Sequence, residues 1–323
     1  MRNFIQEYMV SSQYYAPRGK ERLMFLGEQI SHRHLNYSDR LIGVVGDAGA
    51  GKSSLIKGMF PGLQLSNDDD IMSPRKIMQV RSSLMEMEVE DATTFHLDVR
   101  FQMAFTQMYE IVDYVNSLLK RKRRVVIEHF NLLYPVLGKN ADIIVGIGEE
   151  IIVARPSLFG PQPQSIYQIV HESLRYRKMA HSAEDVTTDI LHNVFDIKEE
   201  EYYFSDVRNG FVLKFPKKPD VDLEKLAVLI DERIARHLDI SYYDEDHIML
   251  GGKIMECDGP RFHVSNTSEI ENFSLVREFI YDPTTKAYCL IGLVDNYTKD
   301  LENRNTHYFL TRECARMPFA GYK

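Results

Sequence analysis

Apolar positions along the first half of the chain fall into short continuous runs separated by longer mixed stretches, and the runs are rich in Val and Ile. Leu41-Ile42-Gly43-Val44-Val45 is the first, followed by Thr94-Phe95-His96-Leu97-Asp98-Val99, Val125-Val126-Ile127-Glu128, Ala141 to Ile147, and Glu150 to Ala154. Runs of this length, apolar on both alternating faces, predict strands buried on both sides. The intervening stretches carry helical spacing, with helices expected at about Lys52–Met59 and Phe101–Leu119. Residues 4 to 36 read as largely helical and polar, with a break at Pro17-Arg18-Gly19. Strands alternating with helices predict a mostly parallel α/β sheet, whose ligand site lies at the carboxyl ends of the strands.

After Pro156-Ser157-Leu158-Phe159-Gly160-Pro161-Gln162-Pro163 the pattern changes. A long helix over about Ser165–His192 leads to short alternating strands such as Gly210–Phe215, then a second helix over about Leu223–His237. This predicts an α+β unit with helices on an antiparallel sheet. The three prolines and one glycine of the junction mark a linker. The chain therefore divides into an expected α/β domain over 1–160, with its N-terminal helical extension, and a second domain over 161–323.

Composition narrows the class. With 44% hydrophobic and 27% charged residues among 323, this is an ordinary globular chain. No apolar stretch approaches the roughly 20 residues needed to span a bilayer, and Met1-Arg2-Asn3-Phe4 lacks a signal-peptide pattern. Three scattered cysteines, Cys257, Cys289 and Cys314, fit a reducing compartment. A cytoplasmic protein with no membrane partner is the expectation. A net charge of −8 means that any nucleic-acid contact must use local basic patches. Lys120-Arg121-Lys122-Arg123-Arg124 is such a patch; it reads first as a solvated helix end, and second as a contact for an RNA backbone or an ATP phosphate.

The sharpest chemical signal follows the first strand. Gly46-Asp47-Ala48-Gly49-Ala50-Gly51-Lys52-Ser53 is a complete G-x-x-x-x-G-K-[ST] loop, and Ser54 extends it into the next helix. Its glycines let backbone N–H groups turn around phosphates, Lys52 reaches the terminal oxygens, and Ser53 can ligate Mg²⁺. The helix starting at Lys52 adds its positive end. ATP with Mg²⁺ is the expected ligand. Asp98 and Glu128, ending two of the predicted strands, are placed to hold the metal directly or through water. Asp68, Asp69 and Asp70 lie in an acidic turn that either is simply solvated or supplies a base toward a hydroxyl acceptor.

In this combination Gly46–Ser54, Phe95-His96-Leu97-Asp98-Val99-Arg100 and Val126-Ile127-Glu128-His129 resemble the small P-loop ATPase of the tRNA threonylcarbamoyladenosine pathway, the TsaE family. Phe101 does not restore that family's tyrosine, and His129 stands where its tryptophan would be. Leu65-Ser66-Asn67-Asp68-Asp69 is also similar to uridine-kinase-type phosphotransferases, in which an aspartate activates the acceptor hydroxyl.

In the second half His181-Ser182-Ala183-Glu184-Asp185, Asn209-Gly210-Phe211 and the run from Cys257-Asp258-Gly259-Pro260-Arg261-Phe262-His263 to Ile270 resemble the second additional domain of threonyl- and alanyl-tRNA synthetases. That domain removes wrongly esterified amino acids from tRNA, using Zn²⁺ held by an H-x-x-x-H helix and a C-x-x-x-H loop. The resemblance implies His181, Asp185, Cys257 and His263 as zinc ligands. Asp185 replaces the second helix histidine, and His263 follows Cys257 by six residues. Zinc accepts a carboxylate, and a loop can bulge. The opposite outcome is a decayed metal site kept as an RNA-end or aminoacyl-binding module.

These readings imply ATP binding or hydrolysis coupled to recognition of tRNA or an aminoacyl group. The alternatives are a nucleoside-like small-molecule kinase and a non-catalytic, ATP-dependent binding switch. His171 reads as an ordinary helical histidine, and Tyr202-Tyr203-Phe204 and Tyr242-Tyr243 as strand or core aromatics rather than base-stacking platforms.

Overall fold

A computed structural model describes residues 9–66, 94–257, 259, 261–295, 301 and 304. The chain divides into two compact units, Met1–Arg175 with Cys257–Phe262, and Tyr176–Glu256 with His263–Lys323.

The first unit is built on a six-stranded sheet. In chain order its elements are β1 (Ser11–Tyr15), α1 (Lys20–His34), β2 (Leu41–Val45), α2 (Lys52–Met59), β3 (Thr94–Asp98), α3 (Val99–Gln102), α4 (Met108–Lys120), β4 (Arg124–Glu128), α5 (Phe130–Leu137), β5 (Ile143–Ile147), β6 (Glu150–Ala154) and the start of α6 (Pro163–Phe195). The spatial order is β1-β6-β5-β2-β4-β3. Strands β5, β2, β4 and β3 run parallel, while β6 and β1 are antiparallel additions at one edge. The sheet is thus mixed and mostly parallel.

Alternation along each strand sends side chains to two cores. Ile42, Val44, Val126, Val145 and Val153 face Leu23, Ile30, Leu55 and Ile56 of α1 and α2. Leu41, Val45, Val125, Ile127 and Ile152 face Ile111 and Val115 of α4, Phe130 and Leu133 of α5, and Ile166 and Val170 of α6. Helices therefore cover both faces, as fully buried parallel strands require.

Two sequence expectations change here. The N-terminal stretch is not helical throughout: Ser11–Tyr15 pairs with β6, from Ser11 opposite Ala154 to Tyr15 opposite Glu150. Its two tyrosines suit a half-buried edge strand better than a helix. The helix expected over Phe101–Leu119 is interrupted. Asp98 caps α3 by accepting the Phe101 N–H at 3.1 Å, the chain turns after Gln102, and Gln107 with Glu110 forms a capping box that starts α4. Two separate caps outweigh continuous helical spacing.

The second unit holds the remainder of α6, then β7 (Tyr203–Val207), β8 (Gly210–Phe215), α7 (Leu223–Ala235), β9 (Ile240–Tyr242), β10 (His247–Leu250), β11 (Lys253–Glu256), β12 (Phe273–Leu275), β13 (Ile280–Asp282) and β14 (Ala287–Val294). All described strand pairs in it are antiparallel, in one sheet β11-β10-β9 and another β12-β14-β8-β7 with β13 beside β14. The expectation of an α/β unit followed by an α+β unit matches this architecture. Asp222 caps α7 through the N–H groups of Glu224 and Lys225, which fixes its start. Among the described residues no helix is long and apolar enough to cross a membrane.

Candidate functional site

Topology puts one crevice at the carboxyl ends of β2 and β4. From β2 the chain goes on to β3 at one edge, whereas from β4 it goes to β5 on the far side of β2. Adjacent strands whose connections leave in opposite directions open a gap between them, and this is where α/β sheets hold ligands.

The glycine-rich segment Gly46–Gly51 fills the connection from β2 to α2. Gly46 and Gly51 adopt φ of 149° and 94°, in the region that favours glycine. A Cβ on Gly46 would also stand 2.6 Å from the Ile147 carbonyl oxygen, so both torsion and space require glycine there. Arg261 and Phe262 lie against this loop: the Arg261 carbonyl oxygen is 3.6 Å from the position of a Gly49 Cβ, and the Phe262 ring 3.2 Å from that of Gly51.

Lys52 and Ser53 open α2. Lys52 is 5% exposed; its ammonium donates to the Asp47 carbonyl at 2.8 Å and lies 3.8 Å from Glu128 Oε2. Burial lowers its pKa, and the nearby carboxylates of Glu128, Asp98 and Asp47 offset that only in part. The Ser53 hydroxyl donates to Glu128 Oε1 at 3.1 Å. Glu128 is 2% exposed at the end of β4. Burial alone would raise its pKa, but the hydrogen bond from His96, the charge of Lys52 and the hydrogen bond from Ser53 outweigh burial and hold it below the ordinary carboxylate value.

His96 supplies a link that sequence reasoning missed. Its Nδ1 accepts the Ser66 N–H at 3.0 Å, and its Nε2 lies 3.2 Å from Glu128 Oε1. An accepting Nδ1 places the ring proton on Nε2, which therefore donates to the carboxylate. The Ser66 hydroxyl in turn accepts the Asp98 N–H at 3.1 Å. His96 and Asp98 are two residues apart on β3 and so share a face. That H-x-D spacing was the available signal. Asp98 stands opposite Glu128 in the β3–β4 register.

Asp98, Glu128 and His129 each offer one ligand atom, all within 4.8 Å of one another and all buried. His129 occupies the left-handed region at φ 56°, turning the chain from β4 into α5. Its pKa is lowered by burial and then by Lys52, against the opposite pull of Asp98 and Glu128. The sequence-predicted residues Lys52, Ser53, Asp98 and Glu128 thus share one crevice. Ser54 follows on α2, while Asp68, Asp69 and Asp70 lie outside the described residues.

The basic run is placed elsewhere. Lys120 ends α4 and Arg124 starts β4, beside the start of β2, with Leu41 opposite Val125. It therefore lies at the amino end of the parallel strands, about 16 Å of strand away from the glycine loop. Contact with a phosphate bound at that loop is ruled out. Arg124 instead ties the chain before β2, donating to the carbonyls of Asp39 and Asn36 at 3.0 Å each.

In the second unit His181 and Asp185 stand one turn apart on α6. His263 Nε2 lies 2.6 Å from Asp185 Oδ2, and His181 Nε2 lies 3.7 Å from Asp185 Oδ1. The two imidazoles have centroids 4.2 Å apart. Ser182 holds the approaching loop by accepting the Val264 N–H at 3.1 Å. Two imidazoles and a carboxylate are a donor set that zinc accepts. Cys257 belongs to the first unit; its thiol is buried, takes part in no disulfide, and accepts the Gly259 N–H at 3.4 Å. Cys314 and Asp258 lie outside the described residues. Among the aromatics, Tyr202 packs against Phe204 and Phe215 at 5.5 and 5.4 Å, whereas Tyr242 and Tyr243 are about half exposed.

The chain matches no family model, and no curated protein shows significant similarity to it.

Proposed function

We propose that the first unit binds a nucleoside triphosphate with Mg²⁺ at Gly46–Ser54 and transfers its terminal phosphoryl group, to water in the leading reading. One observation carries this. A glycine loop, a buried lysine, a hydroxyl and two carboxylates from β3 and β4 converge at the crevice where the strand order reverses. In this reading Lys52 exchanges the Asp47 carbonyl for phosphate oxygens, and Ser53, Asp98 and Glu128 offer the hard oxygen donors that Mg²⁺ requires. The metal would neutralise charge developing on the phosphates. His96 fixes Glu128 by donating from Nε2, leaving Oε2 toward the lysine.

The second unit, in the same reading, recognises tRNA or an aminoacyl group, which rests on its resemblance to the synthetase editing domain. His181, Asp185 and His263 would hold zinc there. Binding would displace the proton shared between His263 and Asp185.

Calorimetry with MgATP tests the assignment. Wild-type protein should bind and Lys52→Ala should not; equal binding by both would reject it. Turnover without any added acceptor favours the ATPase. Product formation only with a hydroxyl acceptor favours a kinase, and binding without turnover favours a switch.

A further inference from the structure

We infer that His171, oriented by Asp47, accepts the proton of the phosphoryl acceptor at the glycine loop. The inference rests on the phosphoryl-transfer reading above and adds a residue to which the sequence assigned no chemistry.

Asp47 is the first variable residue of the loop, and α6 reaches it from more than a hundred residues away in sequence. Tyr167 Oη donates to Asp47 Oδ1 at 2.8 Å, and His171 Nδ1 lies 2.7 Å from Asp47 Oδ2. Tyr167 and His171 are one helical turn apart. Their rings stack with centroids 5.5 Å apart and planes inclined by 20°. Burial would raise the Asp47 pKa, but the hydrogen bonds from Tyr167 and then His171 outweigh it and keep the carboxylate ionised. An ionised carboxylate only accepts, so Nδ1 must carry a proton. In the neutral ring this leaves the lone pair on Nε2, pointing away from Asp47. The imidazole side chain is 56% exposed, so an acceptor can approach the ring.

A carboxylate that fixes the tautomer and orientation of an imidazole, and balances its charge once protonated, is the arrangement general-base catalysis uses. Its place is apt. The carbonyl of the same Asp47 accepts from Lys52, the residue that reaches the terminal phosphates in this reading. Other charges around the dyad are Lys52, which acts on Asp47, and Arg100, which acts on Tyr167.

In the step, an oxygen lone pair of water or a hydroxyl forms a bond to the γ-phosphorus. The bond to the β–γ bridging oxygen breaks, and its electrons leave with the nucleoside diphosphate. The acceptor proton passes to His171 Nε2. The resulting imidazolium, paired with Asp47, then loses a proton to solvent.

A purely structural clamp needs only a donor toward Asp47, and this separates the roles. In full-length protein His171→Gln keeps an N–H for Asp47 but has no basic nitrogen. The expected result is a fall in kcat of about 100-fold or more, with MgATP affinity within about 3-fold of wild type. His171→Ala should lose as much and regain part of it with added imidazole. Wild-type kcat in His171→Gln, or a loss in His171→Ala that imidazole does not relieve, would overturn the base while leaving the nucleotide site standing. Absence of MgATP binding or of any turnover by wild-type protein would remove the base together with the step it serves.

Discussion

Replacing Glu128 by Gln tests the internal wiring of the crevice, independently of any ligand. The side chain changes little in size but loses its charge. In the wild type Glu128 Oε1 accepts from His96 and Ser53, and Oε2 faces the Lys52 ammonium at 3.8 Å. Glutamine can keep its oxygen toward His96 and Ser53 only by turning its NH₂ group toward the ammonium, which sets donor against donor. Removing one partner of a buried pair costs about 3–5 kcal/mol. Here Lys52 retains the Asp47 carbonyl at 2.8 Å and the field of Asp98. The expected cost is therefore about 2–3 kcal/mol. In a Lys52→Met background the same change should cost only about 1 kcal/mol, giving a coupling of about 1–2 kcal/mol.

Because two units need not unfold together, the measurement is native-state hydrogen exchange on peptides covering 41–45 and 124–128. Protection should fall roughly 30- to 160-fold in the single variant. The folded carboxylate has a lowered pKa, so its stabilisation is complete above the ordinary value of 4.5 and is lost as pH falls through the folded value. The difference between wild type and variant should shrink over that range. Additivity of the two substitutions within about 0.5 kcal/mol, or a neutral Glu128→Gln, would refute the network.

Gly58→Ala places a Cβ 1.9 Å from the Met24 carbonyl oxygen, a backbone atom. It should lower thermal stability by about 2–3 kcal/mol. Gly62→Ala meets nothing within 4 Å and has only a φ of 82° against it. In the same calorimetric scans it should cost about 1 kcal/mol. His34, whose pKa is lowered below 6.5 by burial and then by Arg155, contributes stability that is complete above that value and declines as pH falls below it. His34→Gln should flatten the melting-temperature profile between neutral and mildly acid pH. Zinc titration followed by calorimetry should show one tight site that Asp185→Ala weakens by about 10-fold or more, whereas identical binding by both would exclude the carboxylate as a ligand.

Strands β2, β4, β5 and β6 were legible because each is a short Val- and Ile-rich run buried on both faces, and burial on both faces leaves little else such a run can be. The edge strand Ser11–Tyr15 was not legible. Its stability comes from pairing with Glu150–Ala154, more than a hundred residues away, and no local pattern records a distant partner. The break between α3 and α4 was missed because caps at Asp98 and Gln107 compete with a helical periodicity that continues through them. At the site, Lys52, Ser53, Asp98 and Glu128 were readable because loop chemistry and strand-end carboxylates follow directly from residue type and position.

What the sequence determined by itself was local: which runs become strands, where glycines permit the loop to turn, and which carboxylates end a strand. The pairing of Asp47 with Tyr167 and His171, the relay from Ser66 through His96 to Glu128, and the displacement of the basic run to the opposite end of the sheet were decided by tertiary structure alone. Local preferences act over a few residues, whereas a side chain's partner depends on strand order and register, which only the assembled sheet fixes.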